Sequence, residues 1–305
     1  MELAQPSRLD LAAEALAAKP ISHWKLAWWR LSRDKVTVVA AGVLLLIILS
    51  ALLAPVISPY DPNEASFKGA NQNVLNRLAP IGSEGHVLGT DQQGRDMLTR
   101  LLHGGRLSLL TGVLPVGVAL VIASVLGIMA GFVGGRLNML IMRVNDMFYA
   151  FPPILLAIAV SGALGPGINN TIIALAISFI PPILRVAESV TIKARAMDFV
   201  ESARASGAGD LAIIRYHIVA NVAGPIVVYA STLVGISIIT AAGLSFLGLG
   251  VTVPDAEWGL MLSKLRQSIF IEPWVPVLPG LMIFITSMAF NLLSDGLRDA
   301  LDVRL

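Results

Sequence analysis

Residues 36–57 read VTVVAAGVLLLIILSALLAPVI, an apolar run without a single charge. A helix crossing the hydrocarbon of a bilayer needs roughly 20 such residues, and its peptide groups must be satisfied within the segment. The run satisfies that requirement, and composition agrees with it. The chain of 305 residues is 55% hydrophobic and only 14% charged, with a mean hydropathy of +0.76. A soluble domain carries about 25% charged residues. The chain is therefore read as an integral membrane protein.

Five further runs meet the same length requirement, which makes six expected spans. They lie at 107–133, about 139–163, about 168–188, about 222–250 and 275–294. The third has Arg143 and Asp146 near its start and Pro152-Pro153 inside it, and the fourth holds Pro181-Pro182. The second is punctuated by Gly112, Pro115, Gly117, Gly127 and Gly131. Breakers and small residues in lipid point to helix packing or to a cavity lining, because an exposed broken span is costly. The pattern leaves both readings open.

Lys and Arg set the orientation. With the N-terminus inside, the inner segments 1–35, 134–146, 185–217 and 296–305 hold fifteen of the twenty-two basic residues. The outer segments 58–106 and 251–274 hold seven. Basic residues favour the cytoplasmic side, so both termini are expected there. Trp24, Trp28 and Trp29 among Lys25, Arg30, Arg33 and Lys35 suit the same membrane face, or else form a solvated basic helix. Residues 1–18 carry Glu2, Asp10 and Glu14 and lack the compact apolar core of a cleavable signal peptide. The expected division is an N-terminal segment 1–35, a first span 36–57, an outer loop 58–106, a five-helix core 107–295 and a tail 296–305.

Several function classes lack their residues. A net charge of +2 gives no reason to expect nucleic acid, and without cysteine there is no thiol chemistry. The four histidines are scattered, with no metal-ligand spacing. No phosphate-binding G-x-x-x-x-G-K-[ST] motif and no hydrolase motif occurs. Asp146, Arg185 and Glu188 fall toward the inner ends of their spans, so no titratable group is expected at mid-membrane, where ion-coupled transporters place them. No catalytic, cofactor or metal site is expected on the chain.

One polar segment, KARAMDFVESARASGAGDLAIIRYHIVAN (193–221), stands between two apolar spans on the inner side. It reads as two short helices. The first covers 197–206 and stops near Gly207 and Gly209, since glycine readily takes the left-handed conformation that ends helices. The second starts at Asp210 as N-cap. Ala203 and Ala205 let another surface approach closely, and Glu201 and Arg204 can form charge-assisted contacts with it. The segment is either a solvated hairpin or a plug that docks into a cleft of a soluble partner.

On the outer side, LGTDQQGRDMLTRLL offers Asp91 as a cap followed by a helix running toward the membrane. Asp91, Arg95 and Asp96 form either a structural elbow bonded locally or part of a lid or partner contact. Trp258, in PDAEWGLML, is expected as an interfacial anchor in preference to a ligand contact.

ESARASG, followed after a short helix by HIV, resembles the EAA motif of ABC importer permeases. Glu201, Ala203 and Gly207 match it, Ser202 is a mild change, and Val219 and Ala220 replace a leucine and a proline. HVLGTDQQGRDMLTRLLHGGRLSL (86–109), SFLGLGVTVPDAEWGLML (245–262) and AFNLLSDGLRDALDVRL (289–305) resemble conserved blocks of the C-type permeases of the dipeptide, oligopeptide and nickel importers. Val303 takes the place of a usual proline, and WWRLSRDK suits the N-terminal segment. The likeness covers nearly the whole chain from about residue 24.

The resemblance implies an all-α membrane protein with six transmembrane helices and the type I ABC importer (MetI-like) permease fold, in the bacterial inner membrane. It implies a homologous second permease and two ATP-binding cassette subunits that hold the ATP and Mg. It also implies an extracytoplasmic solute-binding protein and surrounding membrane lipid. Glu201, Ser202, Ala203 and Gly207 would contact the ATPases, and charge and capping add Arg204 and Asp210. Di- or oligopeptides are the expected cargo, with nickel, glutathione, opines or oligosaccharides as alternatives. An ion-coupled secondary transporter and a membrane enzyme or scaffold are the rivals from other classes.

Overall fold

The structure is a computed structural model and describes residues 31–65, 67–68 and 74–301. The aromatic-basic residues 24–30 and Val303 lie outside the described residues. In chain order the helices are α1 (Lys35–Leu52), α2 (Ala54–Ile57), α3 (Met97–Val133), α4 (Gly135–Tyr149), α5 (Pro153–Leu164) and α6 (Ile168–Arg195). They continue with α7 (Asp198–Ala205), α8 (Asp210–Ile213), α9 (Val219–Phe246), α10 (Trp258–Leu265) and α11 (Trp274–Leu301). A two-residue ribbon pairs Phe67–Lys68 antiparallel with Val74–Leu75.

Among the described residues, five helices are long and apolar enough to span a membrane, and the α4–α5 pair makes a sixth if counted as one broken span. The third span is thus not the single helix expected at 139–163: its halves meet at 86°. Pro152 caps α5 in an extended conformation (ψ 131°), and Pro153 can donate no hydrogen bond, so the helix cannot run through. Pro181 and Pro182 behave differently. Both are buried inside α6, which continues past them along α3, its most extensive partner.

The second span is continuous with the helix expected to run toward the membrane: α3 starts at Met97, ten residues before the apolar run, and its 37 residues give a length of about 55 Å. A hydrocarbon core of about 30 Å leaves the first turns projecting from the membrane. Asp96, not Asp91, is the N-cap, accepting the Thr99 N–H at 2.8 Å. Asp91 is occupied locally: its Oδ1 accepts Gln93 N–H and Arg95 N–H, and its Oδ2 accepts Arg95 Nε at 2.7 Å. His86 Nδ1 lies 2.9 Å from Asp96 Oδ1, both side chains buried. These bonds make the segment an elbow held by its own charges.

Trp258 corrects a further expectation. It is only 1% exposed, and its indole Nε1–H donates to the Leu101 carbonyl at 2.9 Å. The indole lies over Gly104 and Gly105, where the missing side chains make room for it. Phe270 and Trp274, by contrast, are strongly exposed.

The main core lies between α3, α6 and α9, with Ala123, Leu175, Ile183, Ile226 and Ile238 at its centre. A second cluster around Met97, Leu101, Trp258 and Val275 closes the α10 end. At the opposite end, Val200 of α7 and Ile213 of α8 reach into the main core and hold the polar segment against it.

Candidate coupling site

The α7–α8 segment is built by its caps. α7 places Asp198 and Glu201 in its first turn and Arg204 in its last, each at the helix pole that favours its charge. Its end is a two-bond lock. Ala208 N–H donates to the Ala203 carbonyl at 3.0 Å and Gly207 N–H to the Arg204 carbonyl at 2.9 Å, with Gly207 at φ +83°. This 6→1 and 5→2 pair is the Schellman closure, and it requires the left-handed residue that glycine supplies.

The second helix differs in one respect from its expected start. Gly209 is the extended N-cap, and Asp210 is the first helical residue, without a side-chain capping bond. Asp210 instead faces back across the turn, 3.6 Å from Arg204. Both groups are largely exposed, so this pair adds little stability. The Arg204 guanidinium also stands 5.6 Å from the centre of the Phe132 ring at the end of α3.

Beyond α8 the chain makes a π-helical turn at Ile214–Ile218 and enters α9 without a break, so one apolar helix runs from Asp210 to Phe246. The separate second helix and the span expected at 222–250 are therefore one element. Val219 and Ala220 permit this, because alanine extends a helix where a proline would remove a backbone donor.

The six residues picked from sequence lie together on one projecting turn. Glu201, Ser202, Arg204, Gly207 and Asp210 are exposed, and Ala203 is half-buried against the core. Val200, just before them, is 1% exposed and anchors the helix. Sequence reasoning missed two neighbours: Leu211 and Tyr216 are 80% and 67% exposed. Their signal is phase, since Ile213 and Ile218 of the same segment are buried and turn these two outward.

The polar anchors of this end lie between α3, α4 and α6. Asn138 Nδ2 donates to Glu188 Oε1 at 2.8 Å and to the Ala130 carbonyl at 3.3 Å. Arg185 pairs with Asp146, and its guanidinium lies 5.7 Å from the Tyr149 ring centre.

Residues 123–305 match the family described as binding-protein-dependent transport system inner membrane component. Residues 22–80 match the N-terminal transmembrane domain of oligopeptide transport permease C. The chain is 43% identical over 282 residues to a glutathione transport system permease protein of Pectobacterium atrosepticum, covering 92% of this chain and 91% of that one. It is 41% identical to a dipeptide transport system permease protein of Alkalihalophilus pseudofirmus, over 93% and 91% of the two chains. It is also 41% identical to a di/tripeptide transport system permease protein of Pseudomonas aeruginosa, over 93% of each. Among solved structures, a chain of an inward-facing MetNI methionine ABC transporter aligns with a TM-score of 0.52 at 17% identity. That alignment covers 66% of this chain and 97% of that one, and shows a shared fold. With the broken third span, the projecting α7–α8 turn and family likeness across nearly its full length, this chain belongs to the binding-protein-dependent transport system inner membrane components and is a multi-pass permease of that family.

Proposed function

We propose that the chain is the permease subunit of an ATP-driven importer for di- and oligopeptides, working beside a homologous second permease. Its α7–α8 turn faces the cytoplasm, as do both termini, and docks into an ATP-binding cassette subunit. Two such subunits bind the ATP and Mg, and this chain carries no nucleotide site of its own. An extracytoplasmic solute-binding protein delivers the cargo to the α10 end. The observation that carries this reading is the α7–α8 turn: a locked helix–Gly–helix projection whose polar face is exposed while Val200 and Ile213 fasten it to the core. Closure of the ATPases would move this turn, and with it α6 and α9, which leave it directly in sequence. Glu201 and Arg204 supply charges to the docking contact, and Ser202, Ala203 and Gly207 keep it shallow enough for close approach.

The test is the full assembly reconstituted in liposomes, with uptake of a labelled dipeptide followed with and without ATP. Uptake should require ATP and should fall steeply in Glu201→Lys at unchanged membrane insertion. Uptake driven by a proton gradient without ATP would overturn the importer reading. Normal uptake by the inserted variant would overturn the docking assignment. Glutathione is a second reading of the cargo, favoured by the 43% identity to a glutathione permease, and its ATP-dependent uptake in the same liposomes separates the two.

A further inference from the structure

The sequence of α4, GRLNMLIMRVNDMFY, keeps its apolar residues to one side: Leu137, Leu140, Ile141, Val144 and Phe148 recur at the spacing of a single helix face. Leu140, Val144 and Phe148 are exposed all the same, and they front an open space walled by the spans α3 and α6 and by α5. Arg136 and Arg143 stand two turns apart at the flank of that face, both exposed. Among the described residues neither guanidinium has a hydrogen bond or an ion pair. Asp146, the one acid of the helix, is taken by Arg185, and the Arg195 guanidinium lies against Gly134 at the helix start.

The helix lies across the spans. It is tied to α6 by Asn138 to Glu188 and by Asp146 to Arg185. Asn138 and Asp146 are about 12 Å apart along α4, whereas Glu188 and Arg185 are only about 4.5 Å apart along α6. So α4 crosses α6 steeply, and α5 turns away from it at 86°. From Ile168 to Leu184 α6 carries no charge. That stretch is about 25 Å long, close to the roughly 30 Å of a bilayer's hydrocarbon. Arg185 and Glu188 therefore stand at the edge of the hydrocarbon, and α4, tied to both, lies along it.

We infer that α4 is an in-plane docking surface for anionic phospholipid. Acyl chains lie on Leu140, Val144 and Phe148, and Arg136 and Arg143 hold the headgroup phosphates. An apolar face flanked by cations is the build of a helix that rests in the membrane interface. A lipid without net charge would cover the apolar face and leave both cations uncompensated, whereas an anionic headgroup matches them. The surface goes beyond the importer reading, which supplies only its side: the leaflet is the one beside the α7–α8 turn, hence the cytoplasmic one.

The experiment uses the complete importer in phosphatidylcholine liposomes with a minor fraction of photoactivatable lipid, its acyl chain bearing a diazirine near the headgroup. One preparation carries photoactivatable phosphatidylglycerol, the other photoactivatable phosphatidylcholine at the same fraction. After illumination, mass spectrometry should find label on Leu140, Val144 or Phe148. Phosphatidylglycerol should be favoured by about five-fold for each arginine, the effect of a basic residue at an anionic surface. Arg136→Gln with Arg143→Gln should abolish that preference, while label on the exposed Val39 and Leu46 of α1 stays unchanged. Arg136→Lys with Arg143→Lys should keep it, because the charges remain. Arg143→Gln alone should lower it about five-fold and carries the test if the double variant fails to assemble. Equal labelling of α4 by the two lipids, or a preference that survives loss of both charges, overturns the inference. So does an unlabelled α4 beside a labelled α1, which would mean that protein covers the helix. Dipeptide uptake in the same liposomes reports on the importer reading separately.

Discussion

Gly131 of α3 lies so close to Glu188 of α6 that a methyl group on its Cα would sit 2.8 Å from the Glu188 carbonyl oxygen. Gly127, one turn earlier, is equally tight: a methyl there would be 2.9 Å from the Leu184 carbonyl. The four-residue spacing puts both glycines on one stripe, where the backbones of α3 and α6 touch. Gly131→Leu should force the pair apart at a cost of about 1–3 kcal/mol or more, seen as a lower yield of detergent-stable protein. Gly117→Leu is the matched control, because nothing lies within 4 Å of that position. Equal yields for the two variants would contradict the close-packed crossing.

Trp258 ties the α10 end to the first turns of α3 through its bond to Leu101 and its fit over Gly104 and Gly105. Trp258→Ala should cost about 3–5 kcal/mol, the usual range for deleting a buried tryptophan. Trp258→Phe keeps much of the volume and loses the indole bond, so its cost should be nearer 1 kcal/mol. Thermal unfolding of the purified protein in detergent should rank wild type above Phe above Ala. An Ala variant as stable as wild type would place this indole outside the core.

Glu257 caps α10, accepting Gly259 N–H at 2.9 Å and Leu260 N–H at 2.8 Å, and is 1% exposed. Burial pushes its carboxyl above the usual range, against the opposing pull of those bonds and of Ser245 and Ser108. The folded protein therefore holds this proton more tightly than the unfolded chain does. The resulting stability is complete below the ordinary carboxylate pKa and is lost as pH rises through the folded value. Glu257→Gln cannot ionise, so its stability should decline less than that of wild type as pH is raised from the acid side. Parallel declines in a pH series of unfolding midpoints would show that Glu257 does not titrate upward.

Much of this architecture is written locally in the chain. The spans follow from long apolar runs, and the α7 turn follows from Arg204, Gly207 and the small residues before them. What failed to show depends on distant contacts. Pro152-Pro153 and Pro181-Pro182 are the same dipeptide, yet one breaks a helix and the other is carried through it because α6 packs along α3. Trp258 looks like an interfacial residue until Gly104 and Gly105, about 150 positions away, are placed beneath it. Ala220, which stands where the resembled motif has a proline, allows the second short helix to merge with α9.

Gly207 separates a conformational requirement from a docking requirement. Its φ of +83° penalises any L-residue, by roughly 1–2 kcal/mol. No atom lies within 4 Å of where its Cβ would stand, so within this chain a tryptophan meets no more obstruction than an alanine. Gly207→Ala and Gly207→Trp should therefore insert equally well and be equally stable as purified protein. They should differ where another surface closes over the turn. Copurification of the ATPase subunits and ATP-dependent uptake should survive largely in Gly207→Ala and collapse in Gly207→Trp. Leu211→Asp provides an independent arm, because Leu211 is 80% exposed and its replacement disturbs no internal packing. It should weaken the same copurification without changing insertion. If Gly207→Trp and Leu211→Asp both retain the ATPases at wild-type levels, the turn is a solvated hairpin and the coupling contact lies elsewhere on the chain.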